Sequence, residues 1–199
     1  EGGLAIARML AGEFSPSGRL PISIESKAED NPCATTYYVG QPLTKRGFST
    51  RYVTYNEGVF VGYRGYDRSG VRPLYPFGHG LTYTDFEYSD LSLRPYSGGF
   101  DVTFTLTNTG DYDASEVAQV YVGEVSPSVP RPVKELKGFS KVALKAGESE
   151  QVSIRLDRSA FAYSDVDLHD WKANPGEFII SVGASAGDIR LNDTITLKR

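Results

Sequence analysis

From about residue 86 onward, the chain reads as short runs in which apolar and polar residues alternate. In Phe100–Asn108, Val102, Phe104 and Leu106 fall on one phase and Thr103, Thr105 and Thr107 on the other. A period of two sends successive side chains to opposite faces, so one face is buried and the other meets water. The same reading gives strands at Glu87–Leu93, Glu116–Glu124, Val133–Val142, Gln151–Leu156, Glu177–Gly183 and Asp188–Leu197. Turn residues separate them at Ser97-Gly98-Gly99, Thr109-Gly110-Asp111, Ala146-Gly147-Glu148 and Asn174-Pro175-Gly176. Short strands at this spacing predict a β-sandwich over residues 86–199.

The first 85 residues are different. GLAIARMLA, residues 3–11, predicts a short and mostly apolar helix, buried in its fold, with Gly12 as its C′ residue. The pattern extends upstream of Glu1, and the chain starts without Met, so it reads as a processed or truncated product. Ser15-Pro16-Ser17-Gly18 predicts a turn. Leu20, Ile22 and Ile24 then alternate around Pro21, which limits them to an edge strand or a short extended segment. Residues 25–56 are polar and irregular, a long arm of a kind that is often functional. The arm mixes Tyr37, Tyr38, Phe48 and Tyr52 with Lys45, Arg46 and Arg51. Such a surface stacks on or clamps a ligand, or packs as an arm on a neighbouring domain. Val59, Val61 and Tyr63 alternate and predict a strand. PLYPFGHGLTY, residues 73–83, predicts a fixed crossing between two domains packed by aromatics.

Composition narrows the function. Apolar residues make up 40%, enough for a core, and the 13 Tyr and 10 Phe favour β structure. The net charge is −4 with no basic stripe, which argues against nucleic acid and anionic membranes. No apolar run approaches the ~20 residues of a membrane span. Cys33 is the only cysteine and reads as a free buried thiol. Asn192-Asp193-Thr194 fits the N-glycosylation sequon.

Few residues offer catalysis. His79 and His169 sit in turn-rich settings, and no Gly-x-Ser-x-Gly elbow is present. His79, between two glycines, reads as a structural turn residue. One Cys and two scattered His do not make a zinc site. Asp165-Val-Asp167-Leu-His-Asp170 lacks the central Gly and terminal Glu of a calcium loop and reads as a solvated acidic turn. No phosphate-binding glycine loop occurs, and no cofactor is expected. Glu57, set among aromatics, is the best single carboxylate. A proton donor in such a pocket has a raised pKa, but the favoured reading is an anchor that ties its loop to the core.

Several motifs together resemble the C-terminal part of family 3 glycoside hydrolases, the group of β-glucosidases and β-xylosidases. They are GRLPISI (18–24), YNEGVFVGYRGYD (55–67), PLYPFGHGLTYTDFEYSDLSL (73–93), VPRPVKELKGFSKVALKAGESEQVSIRL (129–156) and WKANPGEFIISVGAS (171–185). The resemblance implies a barrel domain with the nucleophilic Asp, an α/β sandwich with the acid/base Glu, and a fibronectin type III-like domain. The fold class it implies here is mainly β: residues 1–85 as the C-terminal portion of the α/β sandwich domain, then an Ig-like sandwich over 86–199. The motifs around both catalytic carboxylates have no match in this sequence, so no catalytic residue is carried over. A retaining mechanism needs two carboxylates about 5 Å apart. The partners implied are the N-terminal catalytic portion of the same enzyme and an oligosaccharide or β-glycoside substrate. The loop 124–135, with Pro127, Pro130 and Pro132, would pack on those domains or on another subunit in a homo-oligomer. The resemblance also implies an extracellular or periplasmic location. Tyr37, Tyr38, Arg46, Phe48 and Tyr52 are the candidate substrate contacts. The competing reading is a free-standing carbohydrate-binding or interaction module of fibronectin type.

Overall fold

The computed structural model describes residues 1–37, 42–45, 48–51 and 54–198, with the backbone alone for 37, 42–45 and 48–51. Helix α1 (Gly2–Leu10) comes first. It ends in a Schellman motif: Gly12 N–H donates to Met9 O at 2.9 Å and Glu13 N–H to Arg8 O at 3.0 Å. The C′ role read for Gly12 is therefore met, with φ at 79°. The expected burial of the helix is not. Leu4, Ile6 and Leu10 are 65%, 57% and 71% exposed, because no described layer covers the helix.

Other expectations in the first 85 residues also change. Residues 15–18 form no turn, and Ser15 Oγ accepts the Tyr83 N–H at 2.9 Å. Leu20–Ile24 is a short extended segment that pairs with residues 75–79 through the Ile24–Tyr75 bridge. The arm 25–56 is not wholly irregular. It carries helix α2 (Ala34–Tyr37) and a hairpin of β1 (Pro42–Lys45) and β2 (Phe48–Arg51). The strand expected around Val59–Tyr63 is absent. Gly62 takes φ 55°, breaking the extended run, and helix α3 (Tyr63–Ser69) follows, closed by Gly70 in the left-handed region.

The sandwich matches its alternation closely. Its seven long strands are β3 (Phe86–Tyr96), β4 (Gly99–Asn108), β5 (Ala114–Glu124), β6 (Glu135–Leu144), β7 (Ser149–Asp157), β10 (Gly176–Ser185) and β11 (Asp188–Leu197). They form two antiparallel sheets, β3-β4-β7 and β11-β10-β5-β6. A small hairpin, β8 (Tyr163–Asp165) and β9 (Asp170–Lys172), lies between β7 and β10 in sequence and encloses the acidic turn.

Inward residues of both sheets interdigitate. Val102, Phe104 and Leu106 from β4 meet Val120, Val122, Phe178 and Ile180, all at most 2% exposed. Phe161 packs edge-on to Phe100 and Phe178, at centroid distances of 5.9 and 5.2 Å. Fully burying each such side chain contributes roughly 2 kcal/mol. Asn108 is a polar residue on the inward phase of β4, 0% exposed. Its amide donates to Tyr112 O and Leu144 O, and its Oδ1 accepts from Thr84 and Gly110, so all its neighbouring turns are tied to one buried residue.

Strand β5 is buried on both faces. Ala118, Val120 and Val122 enter the core, while Gln119 and Tyr121, on the outward phase, are 3% and 0% exposed. The outer face is covered by the first 85 residues. Tyr63 meets Tyr121 edge-on at 6.0 Å and stacks on Phe77 at 4.8 Å. Gln119 Nε2 donates to Gly78 O and Ala184 O, and its Oε1 accepts from Tyr121.

Candidate functional site

The five candidate substrate contacts fall on the arm. Tyr38, Arg46 and Tyr52 lie outside the described residues, and so do the side chains of Tyr37 and Phe48. Glu57 accepts from Thr36 Oγ1 at 3.2 Å, which ties it to helix α2 of the arm rather than to the core. Burial, and then the nearby Glu57 carboxylate, raise the pKa of the half-buried Cys33 thiol and hold it in its less reactive form. His79 is a turn residue. Its N–H donates to Pro76 O, its O accepts from Leu20, and its ring stacks on Tyr75 at 5.2 Å.

The motif residues that seemed richest in chemistry turn out to build a seam between the two parts of the chain. Arg64 pairs with Glu135 at 3.1 Å, and Lys134 Nζ contacts both oxygens of Asp67 at 2.7 Å. Tyr63 Oη accepts the Leu136 N–H at 2.9 Å. On the other side, Arg19 pairs with Glu116 at 2.8 Å with both side chains nearly sealed from water. A polar cavity of about 140 Å³ lies beside that pair, and among the described residues Arg19 Nε and Tyr88 Oη have no hydrogen-bond partner.

Below the seam lies the largest concavity among those described, a groove of about 590 Å³. Its floor is built on Arg131, brought there by Val129-Pro130-Arg131-Pro132 ahead of β6. Arg131 donates to Glu124 at 2.8 Å, to Glu135 at 3.3 Å, and to the carbonyls of Phe161 and Ala162. Its guanidinium also lies 5.5 Å from the centre of the Tyr163 ring. Lys137 stands beside it, 3.6 Å from Glu135, and burial lowers its pKa. The outer wall is the β8–β9 hairpin. Asp165 accepts from the N–H groups of Asp167 and Leu168 and from Lys172 Nζ, which fixes the turn. His169, at φ 53°, completes it. Trp171, the only tryptophan, projects at the rim with 71% exposure.

Glu124 and Glu135 share one guanidinium, so neither is free to attack a sugar carbon or to donate a proton. Retaining hydrolysis asks for an unencumbered pair. Reasoning from sequence singled out neither Arg131 nor Trp171 as a site residue. The signal for the first was an Arg framed by prolines between two strands with acids at their ends; for the second, a lone Trp among acids.

The comparisons with known proteins agree with the seam and the sandwich. Residues 1–63 match the glycosyl hydrolase family 3 C-terminal domain, and residues 116–186 match a fibronectin type III-like domain. The chain is 43% identical over 99% of its length to thermostable beta-glucosidase B of Acetivibrio thermocellus, and it spans 26% of that protein. It is 43% identical over 98% of its length to an exo-alpha-(1->6)-L-arabinopyranosidase of Bifidobacterium longum, spanning 25% of it. Among solved structures, the GH3 beta-glucosidase of Bifidobacterium adolescentis superposes with a TM-score of 0.88 at 41% identity, over 98% of this chain and 28% of that one. The beta-glucosidase of Kluyveromyces marxianus in complex with glucose gives 0.87 at 36%, over 98% and 23%. The chain thus spans about a quarter of the length of these relatives, their C-terminal part. With the family's C-terminal domain at its start, the fibronectin-like sandwich at its end and the seam joining them, this chain belongs to glycosyl hydrolase family 3.

Proposed function

We propose that this chain is the non-catalytic C-terminal portion of an exo-acting, retaining β-glycosidase of β-glucosidase type, which releases terminal β-linked sugars. The observation that carries the reading is the match to β-glucosidases over nearly the whole chain. The seam supports it: motif residues from Arg19 to Gly78 spend their polar groups on holding the sandwich rather than on a reaction centre. Residues 1–85 act as the closing part of the domain that carries the acid/base Glu, and 86–199 as a buttress behind it. The arm 25–56 reaches the rim of the active site, where Arg46 and Phe48 contact the sugar. An extracellular or periplasmic enzyme fits the exposed sequon at Asn192; recovery of the enzyme only from the cytosol of its source would refute that location.

A chimera tests the activity. The corresponding quarter of the B. adolescentis enzyme is replaced by this chain, and aryl β-D-glucoside and aryl α-L-arabinopyranoside are supplied. The chimera is expected to hydrolyse the glucoside, and the chain alone to hydrolyse neither. Turnover by the chain alone would refute the non-catalytic role. Within the chimera, Arg46→Ala and Phe48→Ala should raise KM; unchanged kinetics would remove the arm from the site.

A further inference from the structure

We propose that the Trp171 groove is a second, non-catalytic binding site for a neutral oligosaccharide. Trp171 lines the groove with its ring 71% exposed, so its face is open to a ligand there. The backbone that carries it is held in place. Trp171 pairs with Ser164 across the β8–β9 hairpin, its N–H is bound by Asp170 Oδ1 at 2.7 Å, and the turn is tied down by Asp165. A fixed backbone lowers the entropic cost of setting the ring against a ligand.

The charges on the groove select the ligand. Arg64, Arg131 and Lys137 line it, and so do Glu135, Asp165 and Asp167. Three positive and three negative groups cancel, so neither an anion nor a cation is favoured. Balanced charge beside an aromatic face suits a molecule with an apolar ring face and hydroxyls at its edge, which is the chemistry of a pyranose. A volume of about 590 Å³ holds more than one ring and lies within the usual range for ligand sites. The carboxylate of Asp167 has no hydrogen-bond partner among the described residues, and it is the acceptor left for a sugar hydroxyl.

The choice of ligand rests in part on the glycosidase reading, but the test reads binding to the chain and needs no turnover, so either can fail alone. The full chain is titrated with cellotetraose while the emission of Trp171, its only tryptophan, is followed, and by calorimetry. A saturable shift is expected. Trp171→Ala, read by calorimetry, should weaken binding by about tenfold. Trp171→Phe, which keeps a ring, should retain part of the affinity, and Asp167→Ala should lose less than Trp171→Ala. Circular dichroism confirms that each variant is folded. No saturable signal from the folded chain would overturn the proposal. So would a preference for trigalacturonate or for chitosan tetramer, since the site would then select charge.

Discussion

Arg131 shows how much one side chain can hold. It is 5% exposed, and four acceptors converge on it: two carboxylates and two main-chain carbonyls. A buried ion pair gives little net stability over an apolar replacement, yet breaking one side of it is costly. Arg131→Ala would leave Glu124, also 5% exposed, without its counter-charge. The variant is expected to lose about 3–5 kcal/mol of stability, seen as a lower urea midpoint. A loss below about 1 kcal/mol would mean that water enters the groove floor and replaces the guanidinium. Lysine would not rescue the site, because a single ammonium cannot reproduce the planar fork that meets separate acceptors. The sequence shows an arginine between prolines, but its role depends on Phe161 and Ala162, some 30 residues away.

At the scale of elements, strands were legible where one face is wet and the other dry. Phe100–Asn108 and Asp188–Leu197 lie where alternation puts them. The signal failed at Val59–Tyr63, where alternation was present but Gly62 at φ 55° turned the chain into α3. It also failed in the arm, where polar residues pair as β1 and β2 without any apolar stripe to mark them. The FGHG crossing illustrates a glycine fixed by its neighbour. Gly78 takes φ 83°, and a Cβ there would collide with Gln119 Oε1. Gly78→Ala should therefore cost roughly 1–3 kcal/mol in denaturant unfolding. In a Gln119→Ala background the clash is gone, so the same change should cost less. Equal costs in both backgrounds would show that backbone strain alone is responsible.

At the scale of the molecule, the sandwich has a closed core and the first 85 residues do not. Leu4, Ile6 and Leu10 on α1 are mostly exposed, as are Ile22, Leu74 and Leu81. Surface of this kind binds a partner or drives association. The isolated chain is expected to self-associate and to bind the dye ANS. Leu4→Lys, Ile6→Lys and Leu10→Lys together should reduce both in light scattering and fluorescence. A monodisperse wild-type chain that ignores the dye would refute this. The seam bears on the same question, because Arg19–Glu116 and Lys134–Asp67 couple the two parts and favour their unfolding as a unit.

The sequence by itself determined the sandwich, its strand phases and its family motifs. Alternation is a local property, and a one-residue slip would expose every core side chain, so the pattern admits one register. It also marked His79 as a structural turn residue, a role its main-chain hydrogen bonds meet. Tertiary structure alone decided what the outer face of β5 would meet. Gln119 and Tyr121 sit on the polar phase of their strand, and their local pattern predicts water. They are buried because Tyr63, Phe77 and Gly78, distant in sequence, fold over them. The groove has the same origin. Arg131 and Lys137 come from one segment and Trp171 from another, and only the packing of β6 beside the β8–β9 hairpin makes them one surface.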